Sequence, residues 1–373
     1  MTRLLLTNML YSFIAAALGV MVPLYLIEKN VDITYIGIIL SLGPISFMFI
    51  RTYLATIADE IGTRAIGIFY SAANMAAVAL YMFIPTTAGF TVGTLAEGVR
   101  TSGFWAISRT ETISENRGYP GRILAYFSAM RQLADGAGRL VIGFLLAYLA
   151  FQGSFIIFFG LSIALLLLVL SNDNSRPDLS RHGRSVVERV FKKRPTSFWY
   201  ASLLALLSWL PYNMLLGFLL PVYFVSSLKM GYLETGGFVA LLSLAIAGSA
   251  ILSTRWNFKK STMILLSLLV VPALAFIPFA DKAVVLPLLI TAIGMGCMSI
   301  VAEYILVDVI YRSKDVSTDI GVFYSPLKVA EFSFLSLSGI VISRFGYVPL
   351  FLICSFSMLF FALLAKRLLV KGS

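Results

Sequence analysis

The residues best suited to chemistry in this 373-residue chain are three charged side chains within one apolar stretch. Arg131, Asp135 and Arg139 recur at every fourth position of MRQLADGAGRLVIG (130–143), so a helix places all three on one face. A charge at the bilayer centre costs roughly 2.5 to 3.5 kcal/mol on insertion scales, so such residues face a protein interior or a wet cavity. The arginines could hold an anion and the carboxylate could exchange a proton. The alternative is a buried salt-bridge ladder that only holds helices in register.

The helix that carries these charges is expected to be one of many membrane spans. Hydrophobic residues make up 59% of the chain and the mean hydropathy is +0.91, far above a soluble domain. Apolar runs of about 17 to 28 residues follow one another with short polar breaks, which predicts an all-α polytopic membrane protein with twelve transmembrane helices. The predicted spans are 4–27, 33–58, 65–84, 90–108, 123–149, 153–170, 198–225, 235–253, 263–279, 284–310, 321–342 and 347–365.

One long polar segment divides these spans into six and six. We therefore predict an N-terminal six-helix bundle over 1–171, a basic cytoplasmic linker loop over 172–197 and a C-terminal six-helix bundle over 198–373. Two halves of similar length and span number indicate a parallel internal repeat.

Positive charge is distributed unevenly between the two sides of the predicted membrane. The side that holds both termini and the linker has 20 Lys and Arg residues, against 4 on the other side. The positive-inside rule then predicts a multi-pass protein of the cell membrane with both termini in the cytoplasm. The net charge of +11 reflects this topology, so no nucleic-acid partner is expected.

The chain lacks the sequence patterns of metal and nucleotide sites. Its one histidine, His182, lies in the basic linker, and Cys297 and Cys354 lie in different apolar runs. No glycine loop ending in Lys-Ser or Lys-Thr is present. We therefore expect no cofactor and no metal, and the lone loop histidine argues against an integral membrane enzyme.

The loop after the second span, LATIADEIGTRAIG (54–67), resembles the signature loop of the major facilitator superfamily. Asp59, Gly62 and Arg64 match the spacing of that signature, while three other positions differ. The resemblance implies two six-helix bundles that work by alternating access. It also implies a cytoplasmic latch of Asp59, Gly62 and Arg64, with Arg109 as a candidate partner.

Candidate functional residues follow from the charged, polar and aromatic positions on spans that line the cavity in this family. Substrate sites of this fold lie near the midplane between the halves. The candidate substrate-binding residues are Arg100, Arg131, Arg139, Lys328, Tyr11, Trp209, Asn213 and Tyr304. The candidate proton-coupling carboxylates are Glu97, Asp135, Glu303 and Glu331. Glu97 and Arg100 stand one turn apart, so that pair could also simply satisfy itself.

The resulting hypothesis is a secondary active transporter of a small solute, coupled to protons or sodium and working as a monomer in the lipid bilayer. We expect proton coupling and an anionic or zwitterionic substrate. Arg139 stands roughly where exporters of the superfamily carry a proline, so the exporter signature is absent. The alternatives are a multidrug or lipid efflux carrier of the same fold and an uncoupled uniporter.

Overall fold

The structure, a computed structural model, describes residues 2–115, 120–171, 186–256, 258–310, 313 and 316–370. Within these ranges the side chains of Asp59, Glu60 and Arg109, among others, lie outside the description.

Helices make up almost all of the described chain, and we number them by membrane crossing. They are α1 (Thr2–Glu28), α2 (Ile33–Ile61), α3 (Thr63–Phe83), α4 (Thr87–Glu115), α5 and α6 (the parts of Pro120–Leu170 before and after Ala150), α7 (Thr196–Ser226), α8 (Tyr232–Arg255), α9 (Lys260–Phe279), α10 (Val285–Ile310), α11 (Val316–Phe345) and α12 (Val348–Val370). A short helix, Val186–Phe191, precedes α7, and α7 contains a π-helical turn at Leu215–Leu219.

The twelve predicted crossings are confirmed, although ten helices of the described chain are apolar enough to span a membrane by length and composition alone. One of the ten, Tyr126–Leu170, contains two crossings, because Ala150 interrupts it with φ 53° and ψ −173°. The remaining crossing is α4, which is 29 residues long but carries Glu97 and Arg100 in its middle. It packs against α2 and α3, and Arg100 is buried inside the protein.

Contacts at both ends of α6 show that the chain reverses at Ala150. Phe151 stacks on Tyr25 near the end of α1, with ring centroids 4.6 Å apart. At its other end, Arg3 and Arg64 donate hydrogen bonds of 3.0 and 3.1 Å to the carbonyls of residues 171 and 170. These arginines satisfy carbonyls that a helix C-terminus leaves unpaired. The end of α6 thus lies on the side where α1 begins, and six further crossings bring the end of α12 to the same side. We call this the termini side and the other the far side.

The first six and the last six helices meet along two helix pairs, α2 with α11 and α5 with α8. On the far side both pairs approach at glycines. A Cβ added to Gly37 would lie 2.5 Å from the carbonyl oxygen of Leu335, and one added to Gly236 would lie 2.5 Å from the Cα of Gly143. Glycine permits this backbone contact because it has no side chain. The far ends of the two halves are therefore held together.

On the termini side a buried ion pair ties the segment before α7 to the start of α11. The Arg194 guanidinium donates hydrogen bonds of 2.9 and 3.1 Å to Asp319, and Lys192 adds a contact of 2.9 Å. Arg194 also donates to the carbonyls of Arg189 and Val190 at the end of the short helix. The last residues of the linker are thus fixed to α11.

Candidate functional site

A cavity of about 370 Å³ lies between the two halves, lined by residues of α1, α2, α4, α5, α7 and α11. Its aromatic lining includes Tyr11, Phe47, Trp105, Trp209 and Tyr212. Its charged lining residues, four basic and three acidic, are Arg51, Glu97, Arg131, Asp135, Arg139, Lys328 and Glu331. A concave, mostly apolar site with a few convergent polar groups is typical of small-molecule binding.

The helix α5 supplies more polar lining residues than any other helix. Ser128, Arg131, Gln132, Asp135 and Arg139 all line the cavity. Their spacing of three or four residues places them along one helix face, as the sequence pattern predicts. The arginine and aspartate triad therefore faces the cavity and not lipid.

Asp135 and Arg139 connect α5 to helices of the other half. Their side chains approach within 3.8 Å, beyond hydrogen-bond length. The Tyr212 hydroxyl on α7 donates to Asp135 at 3.4 Å, and Arg139 donates to Ser243 on α8 at 3.1 Å. A change in the charge of Asp135 would therefore act on contacts between the two halves.

Arg131 is held against an aromatic ring. Its guanidinium carbon lies 4.8 Å from the centroid of Trp105 on α4, and the residue is 5% exposed. Such a cation–π contact orients the planar guanidinium, whose donors suit a carboxylate.

In the second half, Lys328 and Glu331 form a tight pair on α11. The ammonium nitrogen of Lys328 lies 2.6 Å from Glu331, which also accepts a 2.5 Å hydrogen bond from Asn213 on α7. Lys328 additionally lies 4.8 Å from the ring of Phe47 on α2. This cluster therefore contacts both halves.

Glu97 and Arg100 differ in their position relative to the cavity. Glu97 lines the cavity, whereas Arg100 lies behind it and outside the described lining, 3% exposed. The two side chains are 3.9 Å apart, and Arg100 donates to Asn74 at 3.0 Å and lies 5.4 Å from the Tyr11 ring. Arg100 is thus positioned to influence Glu97 and not to contact a solute directly.

Two further candidates, Glu303 and Tyr304 on α10, are not brought to this cavity. Neither belongs to the lining formed by the described residues, and Lys260 lies 5.6 Å from the Tyr304 ring. Glu303 is buried, 1% exposed, within the packing of α10.

The predicted latch is described only in part. Gly62 has φ 89° and ψ 164°, a conformation favoured by glycine, and joins α2 to α3. Arg64 caps the end of α6. The side chains of Asp59 and Arg109 lie outside the described residues, so their pairing stays a prediction.

Two of the charged or amide side chains in the described lining, Arg51 and Gln132, were not predicted from the sequence. Arg51, 2% exposed, lies in the second apolar run four residues after Phe47, its guanidinium carbon 5.8 Å from that ring. Gln132, 3% exposed, follows Arg131 directly. The available signal was the same for both, namely a polar side chain inside a predicted span.

Comparison with known proteins agrees with this architecture. A family model of the Major Facilitator Superfamily matches residues 4–325. The chain belongs to the Major Facilitator Superfamily. This confirms the resemblance seen in the loop at 54–67, and membership indicates a multi-pass membrane transporter.

Solved structures of the superfamily share the fold. The crystal structure of the human organic anion transporter MFSD10 (TETRAN) matches with a TM-score of 0.75 and 17% identity, covering 98% of each chain. A crystal structure of the E. coli fucose:proton symporter FucP matches with a TM-score of 0.71 and 12% identity, covering 98% of this chain and 97% of that one. At these identities the likeness shows the superfamily fold alone. No curated protein matches the sequence.

Proposed function

We propose that this superfamily member is a secondary active transporter that carries a small anionic or zwitterionic solute by alternating access, coupled to protons. The observation that carries the proposal is the position of Asp135, which lines the cavity and contacts Arg139 of its own helix and Tyr212 of the other half.

The charges of the lining support an anionic group on the solute. Four basic side chains face three carboxylates, so the lining carries a net positive charge of one when all are ionised. One solved structure of this fold is described as an organic anion transporter, which fits an anionic solute. Another is described as a fucose:proton symporter, which fits the proton coupling and not the charge of the solute.

The geometry suggests how a proton and an anion would be linked. A proton on Asp135 removes the negative charge beside Arg139, so more of the guanidinium's positive charge becomes available to a solute anion. Proton and anion then enter together and the cavity keeps its net charge. Entry of the proton and the anion together favours symport. Glu97, with its 3.9 Å separation from Arg100, is the second candidate for the same role.

Uptake into proteoliposomes that hold the purified protein tests the proposal. With a pooled library of small anions and zwitterions, we expect accumulation that requires an inward proton gradient. Asp135→Asn should lose accumulation but keep solute exchange, because exchange needs no net proton movement. Asp308→Asn, at an exposed position outside the cavity, is the matched control and should transport normally.

Three results would redirect the proposal. Transport that ignores the proton gradient would indicate a uniporter or another coupling ion, such as sodium. Loss of accumulation in Glu97→Gln, with Asp135→Asn unaffected, would move the coupling site to α4. Transport restricted to a parallel pool of lipophilic cations and lipids would favour the efflux carrier.

A further inference from the structure

One buried side chain of the cavity lacks any hydrogen-bond partner among the described residues. Gln132 is 3% exposed, and within the described part of the chain neither its amide oxygen nor its amide nitrogen has a hydrogen-bond partner. Leaving a buried polar group without a hydrogen bond is unfavourable. Since Gln132 lines the cavity, a bound solute could supply the missing hydrogen bonds.

The amide oxygen of Gln132 needs a hydrogen-bond donor, whereas the neighbouring Arg131 needs only acceptors. A guanidinium only donates hydrogen bonds, whereas a carboxamide both donates and accepts. A carboxylate only accepts, so it satisfies Arg131 but cannot serve the Gln132 oxygen. A solute that satisfies both residues therefore brings a donor as well as an anionic group.

Other residues of the lining also have hydrogen-bond donors and acceptors without partners among the described residues. Among described residues, the Trp209 indole nitrogen is a donor without a partner, and one carboxylate oxygen of Glu97 is an acceptor without one. The cavity has a volume of about 370 Å³ and an aromatic lining, so it has room for an apolar side chain on the solute.

We propose that the substrate is a small carboxylic acid with a hydroxyl or ammonium group on the carbon next to the carboxylate. Arg131 binds the carboxylate, and the Gln132 oxygen accepts a hydrogen bond from the adjacent hydroxyl or ammonium group. This inference rests on the proposed function and narrows its substrate class to α-hydroxy and α-amino acids. Gln132 is then the residue that distinguishes them from simple acids.

Calorimetric titration of the purified full-length protein tests this with compounds that differ only in the donor. The probes are 2-hydroxy-3-phenylpropanoate, phenylalanine and 3-phenylpropanoate, with 2-hydroxy-4-methylpentanoate, leucine and 4-methylpentanoate as a second set. We expect a donor-bearing acid of at least one set to bind roughly tenfold more tightly than its plain counterpart, since a site built to hydrogen-bond a group rejects analogues that lack it. This ratio of affinities is measured on the unmodified protein.

A variant then assigns the preference to one side chain. Gln132→Met keeps the length of the side chain but removes both amide atoms, and should bring the ratio close to one. Gln152→Met is the matched control, because Gln152 is exposed at the far side and outside the cavity lining. It should leave the ratio unchanged.

The outcomes separate this inference from the function on which it rests. Equal binding of donor-bearing and plain acids by the unmodified protein would overturn the inference and leave the anion transporter standing. A ratio that survives Gln132→Met would overturn the role of Gln132. Failure of every acid to bind would overturn the anionic substrate class itself.

Discussion

The acid–base pairs around the cavity differ in geometry, and we expect this difference to separate structural charges from functional ones. Lys328 and Glu331 are in direct contact at 2.6 Å, and Glu331 is 2% exposed. The other two pairs are 3.8 and 3.9 Å apart, too far for a direct hydrogen bond. We therefore expect the α11 pair to contribute mainly to stability, while the looser pairs are available to protons and solutes.

A pair of variants tests the structural role of the α11 pair. Lys328→Met leaves the Glu331 carboxylate buried beside Asn213 without its cation, which should cost about 3 to 5 kcal/mol. The double variant Lys328→Met with Glu331→Leu removes the stranded charge and should regain more than half of that loss. Thermal unfolding in detergent measures both, and a double variant as unstable as the single one would contradict the argument.

A second prediction compares two aspartates on the termini side. Asp319 is 8% exposed and holds Arg194, so Asp319→Asn should destabilise the protein by about 3 to 5 kcal/mol. Asp308 is 69% exposed and lies 3.6 Å from Lys260, so Asp308→Asn should change stability by less than about 1 kcal/mol. The same unfolding assay applies, and equal effects would show that burial does not decide the strength of these pairs.

At the scale of elements, the far-side glycine contacts set how closely the halves can approach. An added side chain at Gly236 meets the backbone of Gly143 and the carbonyl of Arg139, which cannot move aside without shifting α5. Nothing lies within 4 Å of a Cβ added to the adjacent Gly237. The two neighbouring glycines of α8 therefore provide a matched test.

We expect Gly236→Val to separate the far ends of α5 and α8, whereas Gly237→Val should not. Ser12 lines the cavity, so Ser12→Cys in a background without Cys297 and Cys354 reports access to it. A membrane-impermeant maleimide added to either face of membrane vesicles should label this cysteine several-fold faster from the far side in Gly236→Val. Equal labelling in both valine variants would show that the glycine contact does not control access.

For the whole molecule, the distribution of basic residues predicts its orientation. The termini side carries 20 Lys and Arg residues and the far side 4, which predicts that the termini lie in the cytoplasm. Alkaline phosphatase fused after residue 230, in the far-side loop between α7 and α8, should therefore be active. The same enzyme fused after residue 258, on the termini side, should be inactive. Activity of the second fusion alone would show that the termini lie outside the cytoplasm.

The amino-acid sequence by itself determined the class of protein, the number of crossings and the charged face of α5. These are local properties, because the length of an apolar run and the spacing of charges within it do not depend on neighbouring helices. The loop around Gly62 also indicated the superfamily, because its signature is a local pattern of residues.

Only the tertiary structure decided which polar side chains meet in the cavity. Arg51 and Gln132 line it although no motif marks them, while Glu303 and Tyr304 lie in spans of the same character and do not reach it. The rotation of each helix about its own axis makes this difference, and that rotation is set by packing against neighbouring helices. The contact of Asp135 with Tyr212 likewise joins residues 77 positions apart, so it arises from the way the two halves pack.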